Sequence, residues 1–265
     1  MTDPFHDGYS IKAFPRSRQL VRDAGWIAHR RHMISGLFEV DVTEPRRLIR
    51  EHKAQTGESL SFTAFVLACL GKAADADRSV HGYRNWRNQL VVFDQVDVTI
   101  TVEIELEAHK FPLVHIVRAV NQRTVRDIHD EIRAVQAQPA ASPQMGFLRI
   151  FPLLPGFIRR FIYRMVGRSP HLQKRHVGTV GLTSVGMFFG ARRGWGLGMP
   201  AHTLAVTLGG IDERPRIVQG QLEVREYLSV TVSFDHDIVD GAPAARFARQ
   251  FADLIESGYG LAEGD

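Results

Sequence analysis

"SVTVSFDHDIVDGAPAARFARQFADLIESG" (residues 229–258) joins two periodicities through a short polar turn. Up to Phe234 the side chains alternate as in a strand, whereas Phe247, Phe251, Leu254 and Ile255 recur at the spacing of one helix face. Alternation puts Leu228, Val230, Val232 and Phe234 on one face, which His236 continues, and turns Ser229, Thr231, Ser233 and Asp235 to the other. Asp235 and Asp237 then project away from the imidazole, so the turn does not gather its carboxylates and histidine on a metal ion. Asp240 precedes the helix and reads as its N-cap, with Pro243 tolerated in the first turn. Fixed there, its carboxylate would also stiffen the turn that aims the ring. His236 itself has two readings: a satisfied core histidine, or a base kept neutral by burial and ready to take a proton from a thiol or hydroxyl.

Working outward, the chain has 265 residues, 44% of them hydrophobic and 23% charged, enough for a full core in a soluble globular protein. The single cysteine, Cys69, lies in the apolar run "SFTAFVLACLGKAA" and packs as a small hydrophobe; with no disulfide to form, a cytoplasmic location is expected. The N-terminus lacks the apolar run of a secretion signal, and no segment is long and apolar enough to span a bilayer. A formal charge of +4 is a mild excess that suits small polyanions as well as nucleic acid and decides little alone; no nucleic-acid partner is expected.

Strands and helices follow one another without repeats. "GLFEVDV" (36–42) reads as a strand, and "TEPRRLIREHKAQTG" as a helix with Thr43 as N-cap and Gly57 beyond its end. A helix apolar nearly all round covers about Phe62 to Ala76 and should be buried. "QVDVTITVEIELE" alternates with Val96, Val98, Ile100, Val102 and Ile104 on one side. Residues 124–138 form an amphipathic helix with Thr124 and Asp127 spaced as a capping box. "VGTVGLTSV", "TLAVTLGG" and "EYLSVTVSFDH" supply further strands before the closing helix. Strands and long helices without strict alternation predict an α+β domain with a mixed sheet.

Residues 139–176 are different: bounded by prolines, they interleave Phe, Leu, Ile and Tyr with arginines. "GFIRRFIYRMVGR" sets Phe157, Phe161 and Met165 four apart among Arg159, Arg160, Arg164 and Arg168, as in a basic amphipathic helix. Three readings stay open: a helix packed on the domain with its arginines in solvent, a lid over an acyl-binding pocket, or a helix that docks on a membrane surface or a partner.

The closing stretch resembles the C-terminal motif of the catalytic domain of dihydrolipoamide acyltransferases, the E2 components of 2-oxo acid dehydrogenase complexes. These share the chloramphenicol acetyltransferase-like fold, whose His-x-x-x-Asp-Gly signature is matched by His236, Asp240 and Gly241. "GTVGLTSVGMFFGARRGWGLGMPAHTLAVTLGGI" is similar to the family's hydroxyl-bearing strand, Gly-rich turn and proline loop. "HMISGLFEVDVTEPRRLI" and "LSFTAFVLACLGKAA" fit its early elements in order. The resemblance covers about residues 10–258 as a single catalytic domain, between tails 1–9 and 259–265 and with a basic apolar insertion at about 140–175.

The resemblance implies a homotrimer with active sites between subunits, entered by coenzyme A from one side and by the acyl donor or acceptor from the other. His236 would be the general base. Thr183 would take the place of the hydroxyl that hydrogen-bonds the oxyanion, although by pattern alone it is an ordinary β-branched strand residue, and Asp240 would organise the histidine turn. Ser184, one residue on and pointing to the opposite face if the strand continues, and Gly186 of the Gly-rich turn, with Arg192 and Arg193 by the proline loop, are the candidates for holding coenzyme A. Several features depart from the family. The chain begins almost directly in the catalytic domain, so no lipoyl group is expected on it; Asp237 stands where the family usually has Arg; and "YGLAEGD" lacks the apolar tail that joins trimers into larger cores. The expectation is a free-standing acyltransferase using acyl-CoA and a small-molecule or carrier acceptor, without a metal. The alternatives are a non-catalytic scaffold of the same fold and a protein that uses the basic helix at a membrane surface.

Overall fold

The computed structural model describes residues 10, 13, 16–106, 109–138 and 151–261. Helix α1 (Arg16–Ala28) leads into strand β1 (Met33–Asp41), helices α2 (Thr43–Thr56) and α3 (Phe62–Ala76), and the short pair β2 (Tyr83–Arg84) and β3 (Leu90–Val91). Antiparallel β4 (Val98–Leu106) and β5 (His109–Val117) precede helices α4 (Val125–Ala137), α5 (Gly156–Arg168) and α6 (Pro170–Val177). Strands β6 (Val180–Ser184), β7 (Leu204–Val218) and β8 (Gln221–Asp235) then lead to the closing helix α7 (Gly241–Glu256). The tail 1–9, residues 262–265, positions 140–150 of the insertion and the side chain of Ile104 lie outside the described residues.

Six strands form one sheet in the order β1-β8-β7-β6-β4-β5, with β6 parallel to both neighbours and the other pairings antiparallel. This is the mixed sheet with flanking helices expected from the sequence. One face is apolar: Leu228, Val230, Val232 and Phe234 of β8 join Leu204, Val206 and Leu208 of β7 and Val98, Ile100 and Val102 of β4 in a single core. α3 closes over that face, buried from Ala64 to Gly71 as its all-round hydrophobicity requires, with Cys69 inside it. Phe247, Phe251 and Ile255 of α7 complete the layer. No helix among the described residues is long and apolar enough to cross a membrane.

The opposite face carries small hydroxyl side chains. Register places Leu37, Thr231, Thr207 and Thr183 in one row across four strands, and Ser35, Ser233, Ala205 and Gly181 in the next. Ser35 and Ser233 hydrogen-bond at 2.8 Å, while Ser229 and Thr231, each 1% exposed, have hydroxyls without a partner among the described residues. Thr183 thus lies on the hydroxyl face, and Ser184, paired with Leu208, on the helix-covered one. This agrees with the alternation read from the sequence.

Two local readings differ. Thr43 is the first residue of α2 and not its cap: Asp41 accepts hydrogen bonds from the Thr43 amide (3.0 Å) and hydroxyl (2.6 Å), so the capping oxygen comes from the end of β1. The sequence reading assigned no strand to β5, which contains Pro112 and lies at the sheet edge, where proline is tolerated. The capping box of α4 forms as predicted, with Thr124 and Asp127 exchanging 3.1 Å bonds.

A β-bulge interrupts β7 between Leu208 and Ile211, and its two glycines seat the loop after β6. The Gly210 amide donates to the Gly194 carbonyl at 2.9 Å, and a Cβ on Gly210 would lie 1.9 Å from the Arg192 carbonyl oxygen. We predict that Gly210→Ala costs about 1–3 kcal/mol by overpacking against backbone that cannot yield. Denaturant unfolding should show a lowered midpoint with faster proteolysis within residues 190–200, and an unchanged midpoint would contradict this seating.

Candidate active site

The strand ends one residue before the histidine. Asp235 is the last residue of β8, and its carbonyl accepts from the Ile238 (2.9 Å) and Val239 (3.0 Å) amides, closing a tight turn whose Val239 plugs into the core. The turn swings His236 out of the apolar row, and its side chain is 47% exposed. The expectation that His236 continues the buried face therefore fails for a single chain. The histidine is a projecting group on a rigid base.

That rigidity comes from residues the sequence did not single out. The Asp235 carboxylate is buried and accepts from Arg31 at 2.7 Å and from the Asp237 amide at 3.3 Å. Arg31 also donates to Gln173 of α6 at 3.3 Å and lies 5.6 Å from the centre of the Tyr83 ring, whose hydroxyl donates to the Gly178 carbonyl. The His236 amide donates to the His32 carbonyl at 2.8 Å, tying the turn to the start of β1. Asp235 thus organises the turn. Asp240 stands at the N-cap position of α7 with no side-chain capping bond, correcting the predicted cap; its carboxylate, 85% exposed, lies 3.8 Å from His236 Nδ1. At that distance the two groups are neighbours without a hydrogen bond.

A second histidine completes the polar surface. His32 Nδ1 and Asp237 Oδ1 are 2.9 Å apart, and Arg84 approaches Asp237 at 3.5 Å. The hydrogen bond and charge of Asp237 raise the His32 pKa above its ordinary value, and the same hydrogen bond depresses that of Asp237. The aspartate that departs from the family pattern therefore has a specific partner here. The sequence offered only proximity within "RRHM" as a signal, because the pairing spans 205 positions.

The other candidates lie apart from this turn. From Thr183 the row runs through Thr207 to Thr231, two strands away, and His236 is five positions further along the chain. With strands about 4.8 Å apart and about 3.3 Å per residue, the two groups are separated by roughly 19 Å within one chain. They cannot act on the same bond in a single protomer. Ser184 and Gly186 line an open cleft of about 660 Å³ on the helix-covered side, with Arg46, Phe62, Met187 and Glu226 around it. Arg193 lies 3.5 Å from Glu39 and 5.6 Å from the Trp195 ring centre, whereas Arg192 is exposed with no ion pair among the described residues. The group of possible metal ligands among the described residues is Glu58, His129 and Asp130, remote in sequence from the turn; Arg126 already holds Glu58 at 2.8 Å and the Ser61 amide already donates to His129.

Comparison with known proteins bears on the fold. Residues 160–262, which include β6, β7, β8 and the His236 turn, match the family model of the 2-oxoacid dehydrogenases acyltransferase catalytic domain. The dihydrolipoyllysine-residue acetyltransferase component of the pyruvate dehydrogenase complex of Zymomonas mobilis is 29% identical over 89 residues, 34% of this chain and 20% of that protein. The lipoamide acyltransferase component of the branched-chain alpha-keto acid dehydrogenase complex of Pseudomonas putida is 35% identical over 82 residues, 29% of this chain and 18% of that protein. The matched segments thus span about a fifth of these relatives. Among solved structures, a probable dihydrolipoamide acetyltransferase from Listeria monocytogenes superposes with a TM-score of 0.69 at 17% identity, covering 94% of this chain and 95% of that one. The cubic core of the pyruvate dehydrogenase multienzyme complex gives 0.70 at 16% identity, with 99% and 98% covered. Chloramphenicol acetyltransferase gives 0.51 at 14%, with 93% and 98% covered. The fold is that of the dihydrolipoamide acyltransferase cores and of chloramphenicol acetyltransferase.

The His32–Asp237 pair has a pH signature. With His32 raised and Asp237 lowered, the pair's contribution is fully present between the two ordinary values; it fades as pH rises through the raised histidine value or falls through the depressed aspartate value. An NMR titration should place the His32 midpoint above about 6.5, the ordinary histidine value, and Asp237→Asn should return it toward that value. A midpoint indifferent to the substitution would show that the pair does not form in solution.

Proposed function

We propose that the chain transfers an acyl group between coenzyme A and a thiol or hydroxyl acceptor, with each site completed by two copies of the chain. The observation that carries the reading is the His236 turn: a half-exposed imidazole on a rigid strand end, with a carboxylate beside Nδ1, inside the segment matching an acyltransferase family. The chemistry follows from that group. Nε2 of His236 accepts the proton as the acceptor sulfur or oxygen attacks the thioester carbonyl; the carbonyl electrons move to oxygen, and a hydroxyl donates to the oxyanion so formed. Collapse breaks the carbon–sulfur bond, and the departing coenzyme A thiolate takes the proton back from the imidazolium. No bond to the enzyme is formed at any stage.

Thr183 is the donor proposed for the oxyanion. Its separation from His236 in one chain supports a site in which the hydroxyl of one copy faces the histidine of the next, within a cyclic homotrimer. The solved cubic core of similar fold supports assembly of this kind. Packing between copies would remove water from the half-exposed ring, which strengthens each polar interaction there. Coenzyme A enters as a substrate. Arg192, exposed and without an ion pair among the described residues, is the better placed of the two arginines for its phosphates, and Ser184 and Gly186 line the cleft proposed for its pantetheine arm.

Thiol release from short, medium and long acyl-CoA thioesters, with dihydrolipoamide, alcohols or amines as acceptors, tests the activity. His236→Ala should lower turnover by about 10²–10⁴ and Thr183→Val by about 10²–10³. Mixing the two inactive variants under conditions that let copies exchange should restore about a quarter of the activity, since one neighbouring pair in four then joins an intact histidine to an intact threonine. No turnover of any thioester by the unaltered protein would end the transferase reading and leave a scaffold of this fold. Active protein whose variants fail to complement would end the shared site alone.

A further inference from the structure

Helix α5 is seated the wrong way round for a helix that belongs only to its own domain. Its buried side carries Arg159, whose guanidinium donates to Asp23 of α1 at 2.7 Å and to the Leu154 carbonyl at 2.7 Å, with 4% and 5% of the two charged side chains exposed. Its outer side carries Phe157, Phe161 and Met165, exposed by 68%, 63% and 51%, with Leu153 at 63% just before the helix. A free amphipathic helix would roll its phenylalanines inward. The buried ion pair prevents this, because rolling would either break it or strand a charge in the interior. The edge-on contact of Phe151 with Tyr163, ring centres 5.2 Å apart, fixes the same rotation.

The charge around this stripe has one sign. Arg160, Arg164 and Arg168 are exposed beside it, and Asp23, the lone carboxylate of α1 and α5, is consumed by Arg159. On the neighbouring α1, Val21 is 60% exposed and Trp26 36%, with Arg30 4.0 Å over the indole. The bias extends along the chain: residues 132–211 contain ten Lys and Arg and no Asp or Glu, whereas the remainder carries 23 Lys and Arg against 29 Asp and Glu.

From this arrangement we infer that the outer face of α5, with α1 beside it, docks on an anionic phospholipid surface. Phe157, Phe161, Met165 and Leu153 would sit at the level of the acyl-chain boundary, and the arginine heads would reach back to the phosphates. The charge beside the stripe favours lipid over a protein partner: the exposed Arg160, Arg164 and Arg168 flank the apolar side chains, and the lone carboxylate of α1 and α5, Asp23, is already paired, which matches an acyl layer lying beneath a plane of phosphates. The inference is independent of the acyl-transfer proposal.

Cosedimentation of the intact protein with vesicles tests it, one set of phosphatidylcholine alone and one with about a third phosphatidylglycerol, a composition near that at which anionic surfaces attract basic helices. Binding should be at least about tenfold tighter to the anionic vesicles and weaken as salt rises. Replacing Phe157, Phe161 and Met165 together by Ser should weaken it about tenfold, as should Arg160→Gln with Arg164→Gln and Arg168→Gln; neither set touches the Arg159–Asp23 pair, and circular dichroism checks that the fold survives. Absence of anionic-vesicle binding overturns the inference, as does binding that the serine variant leaves unchanged. A serine variant that alters the sedimentation-equilibrium mass would identify the stripe as a contact between copies and equally overturn it.

Discussion

The ion pair between the partly buried Arg31 and the buried Asp235 is the constraint on which the site depends. It joins the segment before β1 to the last residue of β8, and through Gln173 reaches α6, so three parts of the chain distant in sequence are fixed at one point. A paired charge in the interior has few alternative positions, since any displacement leaves a carboxylate or a guanidinium without its partner. The turn that follows inherits this fixity. His236 is exposed yet aimed, with its amide held by the His32 carbonyl and Val239 anchored in the core immediately after it.

The two-sided sheet gives the chain its separate tasks. Its apolar face binds α3, α4 and α7 into the core, and its other face offers rows of hydroxyls, some buried without partners, ending in the exposed Thr183. Within the chain this face is covered at Ser229, Thr231 and Ser233 and open at Thr183. Thr183 lies on that face two strands from β8, and His236 stands beyond the end of β8 itself. A single protomer therefore presents two halves of a site without joining them.

A second ion pair, that of Arg159 with Asp23, shows the same principle at the periphery. There the paired charge fixes a helix rotation that leaves aromatic side chains in water. Of the three readings open for residues 139–176, packing with arginines in solvent holds for Arg160, Arg164 and Arg168 but not for Arg159, which is buried while the phenylalanines are exposed. The sequence pattern of four-residue spacing was correct, but spacing defines a face without stating which way it points.

Periodicity and punctuation in the sequence determined the strands β1, β4, β6, β7 and β8, the helices α2 to α5 and α7, the capping box of α4 and the opposed faces of Thr183 and Ser184. These properties are local: each follows from side-chain alternation, helical spacing or a cap within a few residues. The resemblance of the His236 turn to an acyltransferase motif was equally legible, because its residues are contiguous. Tertiary structure alone decided that β8 stops at Asp235 and turns His236 outward, that Asp235 rather than Asp240 braces the turn, and that His32 finds Asp237 across 205 positions. Pairings of that kind join segments some two hundred positions apart, and they depend on which strands become neighbours in the sheet, which no pattern within a few residues encodes.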